Sequence, residues 1–221
     1  MLGKRIRALL CAGVAVVLVG CALGRDEIKL ADAPLAANAQ APSKGRSVYV
    51  RTVTDERVFK DSDEPGTPSL DTDGHKPEIK ARAVSRKRNG YGMALGDVLL
   101  EPGQTVAGKV GDALRQAFQQ SGYTVVAEAG GAGANAPIIV DVRITKFWTW
   151  RRAKFTELSL ISEIQTEMTM TGAKSWPGVI FVHVEDNVFA AGGSDTTIES
   201  LQKALVAYRA EGVKKLAELK F

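Results

Sequence analysis

The stretch from Ile138 to Phe147, IIVDVRITKF, alternates between apolar and polar side chains. Its apolar members point one way and its polar members the other: Ile138, Val140, Val142 and Ile144 against Asp141, Arg143 and Thr145. A period of two is typical of a β-strand with one buried and one wetted face. The stretch therefore predicts a long strand in a sheet that meets water on one side.

The stretch from Leu158 to Met170 repeats this pattern. One face carries Leu158, Leu160, Ser162, Ile164, Thr166, Met168 and Met170, and the opposite face carries Ser159, Ile161, Glu163, Gln165, Glu167 and Thr169. Two successive long strands with a polar face favour an antiparallel pair.

Between the two strands lies a segment rich in aromatic and basic residues. Its candidate binding residues are Trp148, Trp150, Arg151, Arg152 and Lys154. At a hairpin tip such side chains insert at a membrane interface or stack on sugar. The alternative is that the two tryptophans cover the core, and we favour that interpretation.

Four further elements surround these strands. Ser47–Val53 and Val179–Glu185 are predicted strands, and a helix capped by Gln104 or Thr105 runs to Ser121, with Gly122 ending it and strand 123–126 following. Thr196 and Glu199 have the spacing of a capping box for a final helix. We therefore expect one α+β domain over residues 47–221, with an antiparallel or mixed sheet and both helices on one face.

Residues 60–103 are predicted to form a long inserted loop, because they are polar and rich in proline and glycine. Its second part carries the candidate binding residues Arg82, Arg86, Lys87, Arg88 and Tyr91. One interpretation is a basic loop that contacts an anionic polymer, a lipid headgroup or an acidic protein. The other is a solvated run of charge before a turn.

Residues 1–20 have the layout of an export signal. Lys4, Arg5 and Arg7 precede the uncharged apolar run 8–19, which is too short to span a bilayer. The sequence Leu18-Val19-Gly20-Cys21 resembles the lipobox of bacterial lipoproteins. That resemblance implies cleavage between Gly20 and Cys21, a lipid on the Cys21 sulfur and, since Ala22 follows, the outer membrane.

The mature chain is expected to begin with a flexible tether over residues 21–46, which are rich in alanine and proline. An alternative for Ile28–Leu30 is a short edge strand. Loss of the signal lowers the formal net charge from +4 to +1, so binding to nucleic acid is not indicated. Cys11 leaves with the signal, so the mature chain has no disulfide.

The whole layout resembles the YajG-like family of bacterial lipoproteins. The resemblance rests on the lipobox, on Asp55-x-Arg57 after a valine-rich strand, on Ser121-Gly122-Tyr123-Thr124-Val125, on the two long strands and on the last helix. It implies a lipoprotein on the periplasmic side of the outer membrane.

Catalytic signatures are weak in this sequence. His183 and Glu185 share a strand face while Asp186 points away, and no serine elbow, paired-cysteine zinc motif or phosphate loop is found. We therefore expect no enzyme activity, no metal and no cofactor apart from the lipid. The expected function is a binding or assembly module for an envelope protein complex or peptidoglycan. The alternative is a carrier of lipid or lipopolysaccharide.

Overall fold

The computed structural model describes residues 24–32, 41–130, 136–153, 157–171, 178–188 and 194–219. The strands are β1 (Asp26–Ile28), β2 (Ser47–Asp55), β3 (Ala83–Arg88), β4 (Ala94–Leu100), β5 (Thr124–Val125), β6 (Ile138–Ala153), β7 (Leu158–Thr171) and β8 (Val179–Val188). The helices are α1 (Pro77–Lys80), α2 (Val106–Gln120) and α3 (Ser194–Ala217), and Thr72–His75 form a 3-10 turn. The predicted α+β class and mixed sheet are confirmed, with one short helix more than expected.

The long strand β6 is the centre of the sheet. On one edge it pairs along its whole length with β7, antiparallel, and β7 continues to β8. On the other edge its first half pairs with β2 in parallel, and Thr149 further along pairs with Ser85 of β3. The β2 branch continues to β5, and the β3 branch continues to β4 and β1.

A β-bulge divides β6 into two parts. The register against β7 shifts between Ile144 and Lys146, so the alternation of side chains changes phase there. Before the bulge, residues up to Ile144 face the main core, and after it Phe147 does. Trp148 consequently points to the opposite face, where it packs with Leu70 and Leu99 in a second apolar cluster.

The two long helices, α2 and α3, cover the main core on one face of the sheet, as predicted. Thr105 caps α2, and its hydroxyl accepts from the Gly108 N–H at 3.0 Å. Leu114, Phe118 and Tyr208 are fully buried between the helices and the strands. Gly122 takes a φ of 84° after the helix end, which confirms the predicted stop.

The structure corrects the predicted tether. Residues 24–32 belong to the folded domain, because β1 pairs with β4 and Ile28 and Leu30 are buried. Gln104 holds Leu30 by two hydrogen bonds, accepting from its N–H at 3.0 Å and donating to its carbonyl at 2.9 Å. The composition of the segment hid this edge strand, since three ordered residues contribute little to an average over twenty-six.

The structure also corrects the predicted loop 60–103. It contains α1, β3 and β4, and the basic residues at its centre lie in β3. Arg86 and Lys87 interrupt the apolar alternation on which the strand assignment depends, yet β3 forms because β4 and β6 supply hydrogen bonds on both of its edges.

The capping box predicted at Thr196 and Glu199 is wrong. The last helix already includes Ser194, so Thr196 lies within its first turn. The proposed strand at 179–185 is confirmed and continues to Val188.

Candidate functional site

The predicted basic loop and the predicted hairpin meet around one cavity of about 260 Å³. It lies where β3 ends beside the last residues of β6 and the first of β7, and Thr197 of α3 also borders it. The side chains that line it divide into an apolar group, with Val98, Trp150, Leu158 and Leu160, and a cationic group, with Arg86, Lys87, Arg88 and Arg151. This combination of an apolar wall with cations suits a ligand that has both an apolar and an anionic part.

Three of the cations lining the cavity have acidic partners on neighbouring segments. Arg86 Nη2 lies 2.6 Å from Asp71, and Lys87 Nζ lies 2.8 Å from Asp26 of β1. Arg88 donates to the carbonyls of Ser62 and Gly92, each at 2.7 Å, and lies 3.7 Å from Asp63. Their positions are therefore fixed before any ligand arrives.

Arg151 and Trp150 form the β6 side of the cavity. Burial lowers the pKa of the Arg151 guanidinium below its ordinary value. The Trp150 ring lies against Gly66, and Lys146 Nζ is 5.3 Å from its centroid. A cation held in such a desolvated position attracts an anion more strongly than one in open water.

A chain of buried hydroxyl groups joins the sheet to α3 beside the cavity. The Ser85 hydroxyl donates to the Thr149 carbonyl at 2.7 Å, and the Thr149 and Ser162 hydroxyls share a hydrogen bond of the same length. Ser162 continues to Ser200 of α3, again at 2.7 Å. The chain contains no base to activate a hydroxyl, so its geometry is that of a structural network.

A cluster of charges fastens the first described residues to the domain. Arg25 donates to Asp73 at 2.6 Å and to the fully buried Asp97 at 3.4 Å. Burial raises the pKa of the Asp97 carboxyl and the nearby Asp71 raises it further, against the opposing effect of Arg86 and Arg25. The cluster links β1 and β4 to the 3-10 turn.

The wetted face of β6, β7 and β8 is covered by cross-strand ion pairs. His183 Nδ1 lies 2.8 Å from Glu163, which also pairs with Lys146. Burial raises the pKa of the Glu163 carboxyl, but the hydrogen bonds from Lys146 and His183 outweigh this and the net shift is downward. His183 Nε2 lies 4.0 Å from Glu185, whereas Asp186 turns away and pairs with Lys203 at 2.9 Å.

No group of three or more metal-ligating side chains occurs among the described residues. Within the same ranges, no helix is long and apolar enough to cross a membrane.

The remaining predicted site residues lie apart from the cavity. Arg82 donates to the Leu100 carbonyl at 2.7 Å and pairs with Glu27, while Arg152 pairs with Glu185 at 2.6 Å. Trp148 is buried and donates to the Pro65 carbonyl at 3.1 Å, as the core interpretation predicted. Tyr91 is 93% exposed at the β3–β4 turn.

Other predicted features lie outside the described residues: the signal 1–20 with Gly20, Cys21, Ala22, Lys154 of the hairpin and the turn residues Trp176 and Pro177. The sequence analysis missed Asp26, Asp71 and Asp97. Their partners are 61, 15 and 72 positions away, so no local pattern could have identified these pairs.

The fold is similar to solved structures of low sequence identity. A protein from Xanthomonas campestris, described as a member of DUF330, is 12% identical with a TM-score of 0.47, and the match covers 88% of this chain and 95% of that one. A minor lipoprotein from Acinetobacter baumannii is 8% identical with a TM-score of 0.36, and the match covers 52% of this chain and 90% of that one.

No family model matches the chain. No curated protein matches it either. The two structural likenesses assign neither a family nor an activity, and the YajG-like resemblance stays a prediction.

Proposed function

We propose that the protein is a lipoprotein anchored through Cys21 on the periplasmic side of the outer membrane, where it acts as a non-enzymatic binding module. Its partner belongs to an envelope protein complex or to peptidoglycan. The cavity between β3 and the β6–β7 end is the proposed binding site. The observation that supports this site is the convergence of two distant segments, 85–92 and 150–160, on one apolar and cationic cavity.

The size of the cavity limits what enters it. At about 260 Å³ it lies near the lower end of the roughly 300–1,000 Å³ typical of small-molecule pockets. It accommodates one or two side chains of a partner, or an anionic group with a short apolar extension. Arg86, Lys87 and Arg88 are already held by the domain, so a partner gains orientation from them at little cost in side-chain entropy.

Crosslinking in intact cells tests this site. A photo-reactive amino acid at Ala153, an exposed residue bordering the cavity, is expected to capture a defined envelope protein or peptidoglycan fragment. The same group at Ala210, an exposed position on α3, is the matched control. Ala153→Trp should prevent capture from a probe at Arg151, and Ala210→Trp should not. Identical patterns from both probe positions would remove the cavity as the binding site.

The second candidate function is a carrier of lipid or lipopolysaccharide. The apolar wall beside Arg88 and Arg151 favours it, because a lipid phosphate and its first acyl carbons have the matching chemistry. Native mass spectrometry of the protein extracted from membranes distinguishes the two. A retained lipid that is lost in Ala153→Trp supports the carrier, and an apo mass from every preparation eliminates it.

A further inference from the structure

Two apolar side chains stand out in water at the turn between β3 and β4. Tyr91 is 93% exposed and Met93 is 61% exposed. They are two positions apart on a turn that projects from the sheet, and we call residues 89–93 the β3–β4 tip. Exposed apolar side chains in such proximity mark a contact surface more often than singly scattered ones do.

The β3–β4 tip satisfies its own backbone groups. The Asn89 side-chain oxygen accepts from the N–H groups of Tyr91 and Met93, at 2.9 and 3.0 Å. Asn89 N–H donates to the Met93 carbonyl, and Gly92 N–H donates to the Asn89 carbonyl. The Gly92 carbonyl also accepts from Arg88 at 2.7 Å. A turn with so few free backbone groups enters a water-poor interface at a low desolvation cost.

The tip lies beside the point where the described chain begins. Gly24 N–H donates to the Leu95 carbonyl at 2.9 Å, two residues from Met93. Gly96 packs so closely on Gly24 that a Cβ at position 96 would collide with the Gly24 carbonyl. Because β1 runs parallel to β4, the chain before Gly24 heads towards the tip.

Covalent geometry then limits the position of Cys21. Three residues separate it from Gly24, and a chain extends at most about 3.6 Å per residue. The Cys21 Cα is therefore within about 11 Å of Gly24. A lipid on its sulfur brings the bilayer surface to the same side of the domain as Tyr91 and Met93.

We infer that the β3–β4 tip is a membrane-contacting element that seats the domain on the bilayer holding the Cys21 lipid. The inference rests on the lipid anchor of the proposed function. Tyrosine suits this place, since its ring is apolar and its hydroxyl remains among the headgroups. Met93 adds apolar area, and the short reach from Cys21 makes the contact effectively intramolecular.

This seating has a consequence for the cavity. Asn89, Gly90 and Gly92 of the tip also line the cavity. The proposed binding site therefore lies next to the membrane surface, and its partner meets it close to the headgroups.

A fluorescent probe tests the inference. The Cys21 thiol carries the lipid and Cys11 leaves with the signal, so one introduced cysteine is the only free thiol of the mature protein. The full-length lipidated protein is prepared as Tyr91→Cys, Met93→Cys or Phe181→Cys and labelled with the dye NBD. Phe181, 47% exposed and paired with Gln165 on β8, is the control. Each variant is reconstituted into vesicles of phosphatidylethanolamine and phosphatidylglycerol.

The inference predicts a blue shift and quenching by nitroxide-labelled lipid for the dye at positions 91 and 93. The dye at position 181 should show neither effect. If Cys21 is lipidated by mass and the protein is on the vesicles, yet all three probes behave as in water, this inference alone is overturned. If the mass shows no lipid on Cys21, the proposed function is overturned with it.

Discussion

The Arg57 guanidinium donates to the Phe147 carbonyl oxygen at 2.9 Å, at the place where β6 passes from one parallel neighbour to the next. β2 pairs with β6 as far as Ile144, and the β3 pairing is at Thr149. Between them the β6 edge has no strand partner, and the same guanidinium nitrogen also donates to Ala83 of β3 at 2.6 Å. Arg57 therefore occupies the fork in the sheet and joins its two branches.

Arg57→Ala should be among the most destabilising single substitutions in the chain. The side chain is fully buried, pairs with Asp55 at 2.8 Å and also donates to the Lys80 carbonyl at 2.6 Å. Removing it leaves a carboxylate and three carbonyls without their donor, and we expect a loss of about 3–5 kcal/mol in the free energy of unfolding. Urea unfolding measures this loss.

Arg143→Ala is the matched control for Arg57, because Arg143 pairs with Glu56 and Glu167 on the wetted face and is half exposed. Its cost should stay below about 1 kcal/mol. Equal effects of the two substitutions would contradict the role of Arg57 at the fork.

Asp97→Asn should change how stability depends on pH. The pKa of Asp97 is raised in the folded protein above the ordinary 3.8, so the folded state retains a proton that the unfolded chain has lost. The contribution of Asp97 is therefore most favourable below pH 3.8 and is lost as the pH rises. Unfolding free energies measured from pH 3 to 7 should show Asp97→Asn gaining on the wild type with increasing pH.

Asp141→Asn provides the comparison of opposite sign. Hydrogen bonds from Arg51 and Thr52 lower the pKa of Asp141, so its contribution is present above pH 3.8 and is lost as the pH falls. The deficit of this variant should be largest at neutral pH. Parallel pH profiles for the two variants would refute the assignment of the two carboxyls.

Gly96→Ala should detach β1 from the sheet edge. The residue has a φ of 142° and leaves no room for a Cβ beside Gly24. We expect amide exchange in residues 26–30 to accelerate at least about tenfold, which corresponds to about 1.4 kcal/mol of local opening. Gly90→Ala, at a position with open space, is the control and should leave that exchange unchanged.

The hydroxyl chain between the sheet and α3 should show strong coupling. Ser162→Ala deprives both Thr149 and Ser200 of a partner, at an expected cost of about 1–2 kcal/mol. Ser200→Ala added to it should cost less than the sum of the two single substitutions, because the second removes a hydroxyl that the first left unsatisfied. A double-mutant cycle by urea unfolding checks this, and additive costs would contradict the network.

Strict periodicity made the long strands and α2 predictable. β6 and β7 alternate over ten or more residues, and α2 has a cap, an apolar face and a stopping glycine at its end. Each of these signals is local, so it needs no knowledge of the partner element.

The N-terminal edge strand and the charged strand β3 were not predictable in the same way. β1 exists because β4 offers a free edge, and Arg86 and Lys87 enter a strand because Asp71 and Asp26 neutralise them. These conditions come from residues far away in the chain. The candidate site followed the same division: its cations and Trp150 were identified from composition, whereas their convergence on a cavity with Leu158 and Leu160 required the fold.

The intact mass of the protein extracted from membranes tests the central claim most directly. The account predicts a chain that begins at Cys21 and carries a diacylglycerol group on sulfur and an acyl group on the new amine. Cys21→Ser should remain unprocessed and lack these masses. A mature chain that begins elsewhere, or one whose Cys21 thiol is unmodified, would contradict the claim that this domain works while anchored to the bilayer.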